Sequence, residues 1–417
     1  MGDEPGLTRR LGTGDAVVIG LGSMIGAGVF AAFAPAAAAA GAWLLAGLAV
    51  AAVVAYCNAT ASAQLAAQYP TSGGTYVYGR ERLGPWPGFL AGWGFVVGKT
   101  ASCAAMALTF AAYVAPPGWQ RPVAVVAVVV LAGVNCRGIT RTAALTRILV
   151  VIVLAALTVV IAAGVSVGTA DPGPAMVGAA DPGIRGVLQS AGLLFFAFAG
   201  YARIATLGEE VRDPQRTIPR AILIALAGAV GIYTVVALTV LLALGPTLLA
   251  RSPAPLADVV HTAGWTWAGP VVAFGAASAS LGALLALMAG VGRTTLAMAR
   301  THDLPAWLAA VHPRHRVPHH AEVALAVIVS VLVALADLRD AIGLSSFGVL
   351  VYYLIANLAA LTQTADHRRF PRWVHVLGAL LCVVLVSTLP GRAVLTGSAV
   401  FAAGALFRIA RRAGQPQ

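Results

Sequence analysis

The chain has 417 residues, of which 59% are hydrophobic and only 10% charged, and its mean hydropathy is +0.86. A soluble protein carries about 25% charged residues, so a soluble fold is excluded, and no period-2 alternation points to an outer-membrane barrel. The net charge of +12 is topogenic, not a footprint for nucleic acid. With the N-terminus inside, twenty arginines fall in the loops of one face and only Arg121, Arg185, Arg251, Arg339 and Arg392 on the other, which puts both termini in the cytoplasm.

The pattern is all-α and polytopic. Apolar runs of about 20 residues, the length that crosses a bilayer, recur roughly at 15–39, 41–67, 86–115, 121–136, 145–168, 186–207, 218–245, 266–299, 321–336, 340–363, 372–389 and 392–410. They predict about twelve spans in a single transmembrane domain over 1–417, with no cleaved leader and no separate soluble part. The fourth and ninth runs look short. Cys57, Cys103, Cys136 and Cys382 sit in or beside apolar runs at unrelated spacings, so no disulfide, metal or cofactor pattern is expected.

The first run contains Gly20-Leu21-Gly22-Ser23-Met24-Ile25-Gly26-Ala27-Gly28-Val29-Phe30. Each glycine costs about 1 kcal/mol of helix propensity against alanine, and four of them weaken the middle of a span. A span breaks only where its freed backbone groups find partners. A break here aims the amides of the second half-helix, about half a positive charge, at an anion such as a carboxylate. Close packing of two helices through small residues is the other reading of the same glycines.

Lys99 is the chain's single lysine and lies about thirteen residues into the third run, roughly 20 Å along a helix. That is too deep for easy snorkelling. A charge at that depth costs about 2.5–3.5 kcal/mol and normally faces the protein interior. Two readings stand: a proton carrier loaded and emptied in each cycle, or a fixed cation bonded to the carbonyls of a broken helix.

Small residues also interrupt the sixth run, Phe195-Phe196-Ala197-Phe198-Ala199-Gly200-Tyr201-Ala202-Arg203, which enters from the opposite face. Two interrupted helices five spans apart and opposed in direction point to an inverted repeat with a site at mid-membrane. Arg203, on the inner side, either latches an internal gate through Asp15, Glu209 or Glu210 or snorkels to the interface. No Asp or Glu falls inside a span except near an end, so a site dedicated to cations lacks its counter-charge. With Lys99 nearby, small neutral or acidic solutes are favoured. His312, His315, His319 and His320 cluster in one arginine-rich loop without acids, which reads as an ordinary basic loop before it reads as a metal site.

Together with the loop Tyr69-Pro70-Thr71-Ser72-Gly73-Gly74-Thr75-Tyr76-Val77-Tyr78, the segment from Phe195 through Gly208-Glu209-Glu210-Val211-Arg212-Asp213-Pro214 to Pro219, and Arg293–Pro305, the glycine run resembles the amino acid–polyamine–organocation (APC) superfamily of permeases along essentially the whole chain. The resemblance implies a leucine-transporter-type fold: inverted repeats of five spans each (15–168 and 186–363), discontinuous helices 1 and 6, and two peripheral helices (372–410). It implies amino acid transport by alternating access, with the bilayer and a small-molecule substrate as partners; the residues themselves are read as a proton-driven permease of a bacterial-type cytoplasmic membrane, with H+ as the coupling ion and no obligatory protein partner. It places the substrate on Ser23, Met24, Ile25, Gly26, Ala27, Gly28, Phe196, Ala199, Gly200 and Tyr201. The carboxylate would meet the amides of Ala27 and Gly28, and the ammonium the carbonyls of Met24, Phe196 and Ala199. Phe196 and Tyr201 would shape or close the pocket, and Lys99, Arg203, Ser278 and Ser280 would serve coupling or gating.

The departures concern coupling. Ala202 stands where some members carry an acid, and no lysine lies in the fifth span, where spacing from Asn135 points to Val153. Ser278 and Ser280, two residues apart, do not share a helix face as a sodium-binding hydroxyl pair would. An exchanger of the same fold, cationic substrates included, is the alternative. The rivals from other classes fit poorly. A major-facilitator protein would need a long central loop where Gly208 to Pro219 is short, an integral membrane enzyme would need clustered carboxylates or histidines, and a channel would need a filter.

Overall fold

In hydrocarbon every backbone N–H and C=O must be paired within the chain, and successive apolar runs satisfy that requirement as helices. The computed structural model describes residues 11–70, 73–138, 143–167, 182–205, 207 and 210–413. Glu209, the turn-rich stretch around Asp171-Pro172-Gly173-Pro174 and the ten N-terminal residues lie outside them. Among the described residues, nine helical stretches are long and apolar enough to cross a membrane. Three further apolar helices have 17 residues, close to the shortest crossing length of about 17. The expected twelve crossings therefore need these three. The runs expected to be short, at 121–136 and 321–336, are two of them.

The first span is broken where the glycines stand. Helix α1 (Thr13–Met24) ends at Ile25 (φ −77°, ψ 45°). Gly26 is non-helical (φ −91°, ψ −142°), and α2 (Ala27–Ala31) restarts the helix. It runs on through Ala32, in helical conformation, into α3 (Phe33–Ala40). Then come α4 (Leu44–Gln68), the short α5 (Gly74–Leu83), α6 (Pro85–Val114), α7 (Gln120–Cys136) and α8 (Ala143–Ser166). Gly84, at φ 99°, turns the chain between α5 and α6, and Pro85 starts the new helix in a position where its missing N–H costs nothing.

The sixth span is broken as well. Helix α9 (Gly183–Phe198) tightens into a 3-10 turn at Ala199–Tyr201 before the single turn of α10 (Ala202–Ala205). After it come α11 (Pro214–Arg251), kinked at Gly245 (φ 69°), α12 (Pro255–Thr262) and α13 (Gly269–Arg300). The chain closes with α14 (His319–Leu335), α15 (Leu338–Leu361), α16 (Arg372–Thr388) and α17 (Gly391–Ala413). Among the described residues the one extended pairing is Leu11 with Val211, which ties the start of α1 to the loop beyond α10.

The two broken helices lie against each other, flanked by α6 and α13, with α15 packed on α6. Two glycines make the approach possible. A Cβ on Gly28 would stand 2.6 Å from Ala197 Cα, and one on Gly200 only 2.2 Å from Ser23 O. The close-packing reading and the helix-break reading of these glycines are both correct, because the break of each helix is the packing surface of the other.

The last helix is less peripheral than its place in the sequence suggests. The Arg408 guanidinium is fully buried between the rings of Trp86 and Phe89, with its carbon 4.7 and 4.6 Å from their centroids. One Nη donates to Pro85 O at 2.7 Å, and the other lies 3.0 Å from Asp303 Oδ1. Asp303 Oδ2 accepts from Arg80 at 2.9 Å and from the Tyr76 hydroxyl at 2.8 Å. Burial pushes the Tyr76 phenol above its usual range, so it stays a donor. Helix α17 is thereby fastened to α5 and to the loop after α13.

Candidate functional site

Where the two breaks meet lies a cavity of about 270 Å³. Its wall combines backbone from both breaks with one face each of α6 and α13. Ser23, Met24, Gly26, Ala27, Gly28, Phe196, Ala199 and Gly200, all expected at the site, line it, as do Lys99 and Arg203. Helix α6 contributes Phe95, Lys99, Ser102 and Met106, and α13 contributes Ala283, Leu287, Gly290, Thr294 and Ala297. Both sets recur every three to four residues, the spacing of a single helix face.

The amides at the start of α2 have no acceptor within their own helix, and Ala27 and Gly28 are in the cavity wall. The carbonyls expected to receive an ammonium are partly taken. The Tyr233 hydroxyl, on α11, lies 2.6 Å from Met24 O and 3.0 Å from Ala197 O, so one hydroxyl bridges the two breaks. Lys99 Nζ donates to Ala199 O at 3.0 Å. A carbonyl can accept twice, so these oxygens remain usable, but the protein's own donors already occupy part of the place assigned to a substrate amine. The Ser23 hydroxyl bonds back to Ile19 O, and the Ser102 hydroxyl to Gly98 O and Ser345 Oγ.

Several expected members stand elsewhere. Tyr201 is fully buried and turned out of the cavity, its ring 5.1 Å from that of Tyr353. It braces the break from behind instead of closing the pocket. Ile25 is buried beside the break without lining the cavity. Ser278 and Ser280 also lie off the cavity, and Ser280 is fully buried. Asp15 pairs with Arg147 and accepts from Gly12 N, so it is not the partner of Arg203. Arg203 is in the wall at the arginine-rich end, together with Glu210 and Arg293. The histidines pack on one another, with His312 Nδ1 accepting from the amides of Arg314 and His315. Among the described residues no group of three or more His, Cys, Asp or Glu is placed to hold a metal ion.

The two sides of the site are built differently. Toward α12, the Tyr113 hydroxyl donates to Phe30 O at 3.0 Å and accepts from Leu256 N at 3.2 Å, and its ring meets Phe30 edge-on. Toward the arginine-rich face the wall ends at Gly73, Tyr76 and an exposed Arg293. Tyr113 and Tyr233 were missed by sequence reasoning. Each is a single tyrosine in an apolar helix, and its partners lie 36 to 209 residues away.

Comparison with known proteins bears on the family and the fold. A family model described as amino acid permease matches residues 11–406. The chain is 61% identical to an uncharacterised transporter of Mycobacterium tuberculosis, over 95% of this chain and 90% of that protein. It is 25% identical to a branched-chain amino acid permease of Bacillus subtilis, over 94% of this chain and 87% of the other. In fold it is similar to the crystal structure of MhsT in complex with L-phenylalanine, a leucine-transporter-type protein. The TM-score is 0.63 and the identity 15%, covering 93% of this chain and 100% of that one.

Proposed function

This chain belongs to the amino acid permease family, and we propose that it carries small neutral or acidic amino acids across the cytoplasmic membrane by alternating access, driven by protons. On this reading residues 15–168 and 186–363 are inverted repeats, 372–410 is an appended pair, and both termini are cytoplasmic. The observation that carries it is the cavity at the junction of two broken helices. A zwitterion's carboxylate binds at the amides of Ala27 and Gly28, where a helix start favours an anion. Its ammonium shares the carbonyls of Met24, Phe196 and Ala199 at the breaks, each of which already accepts one bond within the fold.

The arrangement of the two ends supports an inward-open state. The Tyr113 bridge seals the outer side, and the exposed Arg293 marks the path to the cytoplasm. Lys99 is the proposed proton carrier, since it is the buried cation that faces the cavity itself. Ser278 and Ser280 offer no hydroxyl pair toward the cavity, which argues against a sodium site there. A branched-chain amino acid permease and a protein bound to phenylalanine, both similar to this chain, fit an amino acid substrate.

Uptake into proteoliposomes of purified protein, with labelled amino acids and an imposed pH gradient, tests the reading. Accumulation that follows an inside-alkaline gradient and ignores sodium is the expected result. Uptake that needs sodium and ignores pH overturns the coupling, and no uptake of any amino acid overturns the function.

A further inference from the structure

Lys99 is almost fully buried, yet among the described residues a single hydrogen bond holds its ammonium group. Its acceptor is Ala199 O, at the end of the 16-residue helix α9. The negative pole of that helix accounts for part of the attraction. An ammonium has three donors, so two N–H groups have no partner among the described residues. Among the described residues no carboxylate oxygen lies within ion-pairing distance of Nζ; the ion pairs formed involve Asp15, Asp213, Asp303 and Asp340.

The nearby hydroxyls of Ser23 and Ser102 are spent within the fold. Among the described residues Glu210 is the one carboxylate in the cavity wall, and it stands with Arg203 and Arg293 at the arginine-rich end. Met24, Phe95, Met106, Phe196 and Leu287 make the rest of it apolar, and low polarity strengthens any pairing made inside. A buried charge without a counter-ion is costly, and the missing counter-ion is a property the ligand can bring.

We propose that Lys99 is a specificity-determining residue that receives the side-chain carboxylate of an acidic amino acid, so that aspartate or glutamate is the preferred substrate class. This deepens the permease reading and rests on it: the α-carboxylate is held at the first break while the second carboxylate pairs with the ammonium on α6. The volume of about 270 Å³ lies below the roughly 300–1,000 Å³ of drug-sized sites, which suits a solute with four or five carbons. Neutral amino acids leave the ammonium without its counter-charge, and lysine or arginine places a second cation against it. Proton and acid then reinforce each other's binding, because coupling between two ligands is reciprocal.

The test uses full-length protein in proteoliposomes and labelled L-aspartate, L-glutamate, L-asparagine, L-glutamine, L-leucine and L-lysine. Wild type is expected to take up the acids with kcat/KM about tenfold or more above the nearly isosteric amides, one such factor being about 1.4 kcal/mol, and to reject lysine. In equilibrium binding to the purified protein, which needs no proton-carrying step, Lys99→Gln is expected to abolish that preference and bring the amides level with or above the acids, while Lys99→Arg retains it. Wild-type measurements alone decide the inference if Lys99→Gln does not fold. Uptake of leucine or the amides equal to or above the acids, or an acid preference that survives in Lys99→Gln, overturns the acidic assignment and leaves the permease reading standing. Failure to take up all six compounds overturns both.

Discussion

Lys99 and Arg408 are cations buried almost equally, 6% and 2% exposed, and they are treated in opposite ways. Arg408 has a carboxylate, a backbone carbonyl and two aromatic faces around it. Its carboxylate partner Asp303 is in turn held by Arg80 and Tyr76. Lys99 has one carbonyl and a cavity. Since burial is nearly the same, partnering is what separates the two: a charge whose partners are all within the fold fastens elements together, while a charge left underserved beside a cavity is kept for something that arrives.

That contrast can be broken by experiment. Asp303→Asn removes the counter-charge of Arg408 and should cost the most, about 3–5 kcal/mol. Thermal unfolding in detergent, with size-exclusion behaviour as a second readout, measures it, and a wild-type melting profile would show that the network is dispensable. Lys99→Met removes a cation that has no counter-ion among the described residues. It should leave unfolding unchanged or raise stability by up to about 2 kcal/mol while proton-driven uptake collapses; destabilisation as large as that of Asp303→Asn would make Lys99 a structural cation after all. Arg147→Ala sharpens the lower end. The side chain is 59% exposed although it pairs with Asp15, so the loss should stay within about 0–1 kcal/mol and uptake should be nearly normal. A large loss of uptake would assign the Asp15 pair a gating role instead.

Much of the fold could be read from short windows of sequence. The break in the first span falls at Ile25 and Gly26, inside the glycine run, because helix propensity is a local property and four glycines lower it wherever they are placed. Lys99 stood out for a similarly local reason: one charge deep in an apolar run is expensive whatever surrounds it. The count of arginines by loop gave an orientation, but it treated Arg408 as one more charge in the loops, and the structure buries that residue.

The side-chain assignments were decided by packing between distant segments. Tyr201 was expected in the pocket and instead braces Tyr353, because a 3-10 turn rotates residues 199–201 differently from a continuous helix. Asp15 was a candidate partner for Arg203, but Arg147 takes it. Tyr233 has no local signature at all, although its hydroxyl lies between Met24 O and Ala197 O. The sequence by itself determined where the backbone would be weak and where a charge would be costly, since both follow from a few neighbouring residues and the hydrocarbon around them. Which hydroxyl reaches which freed carbonyl, and which cation is left facing empty space, only the tertiary structure decided, because those distances depend on how helices far apart in the chain pack against one another.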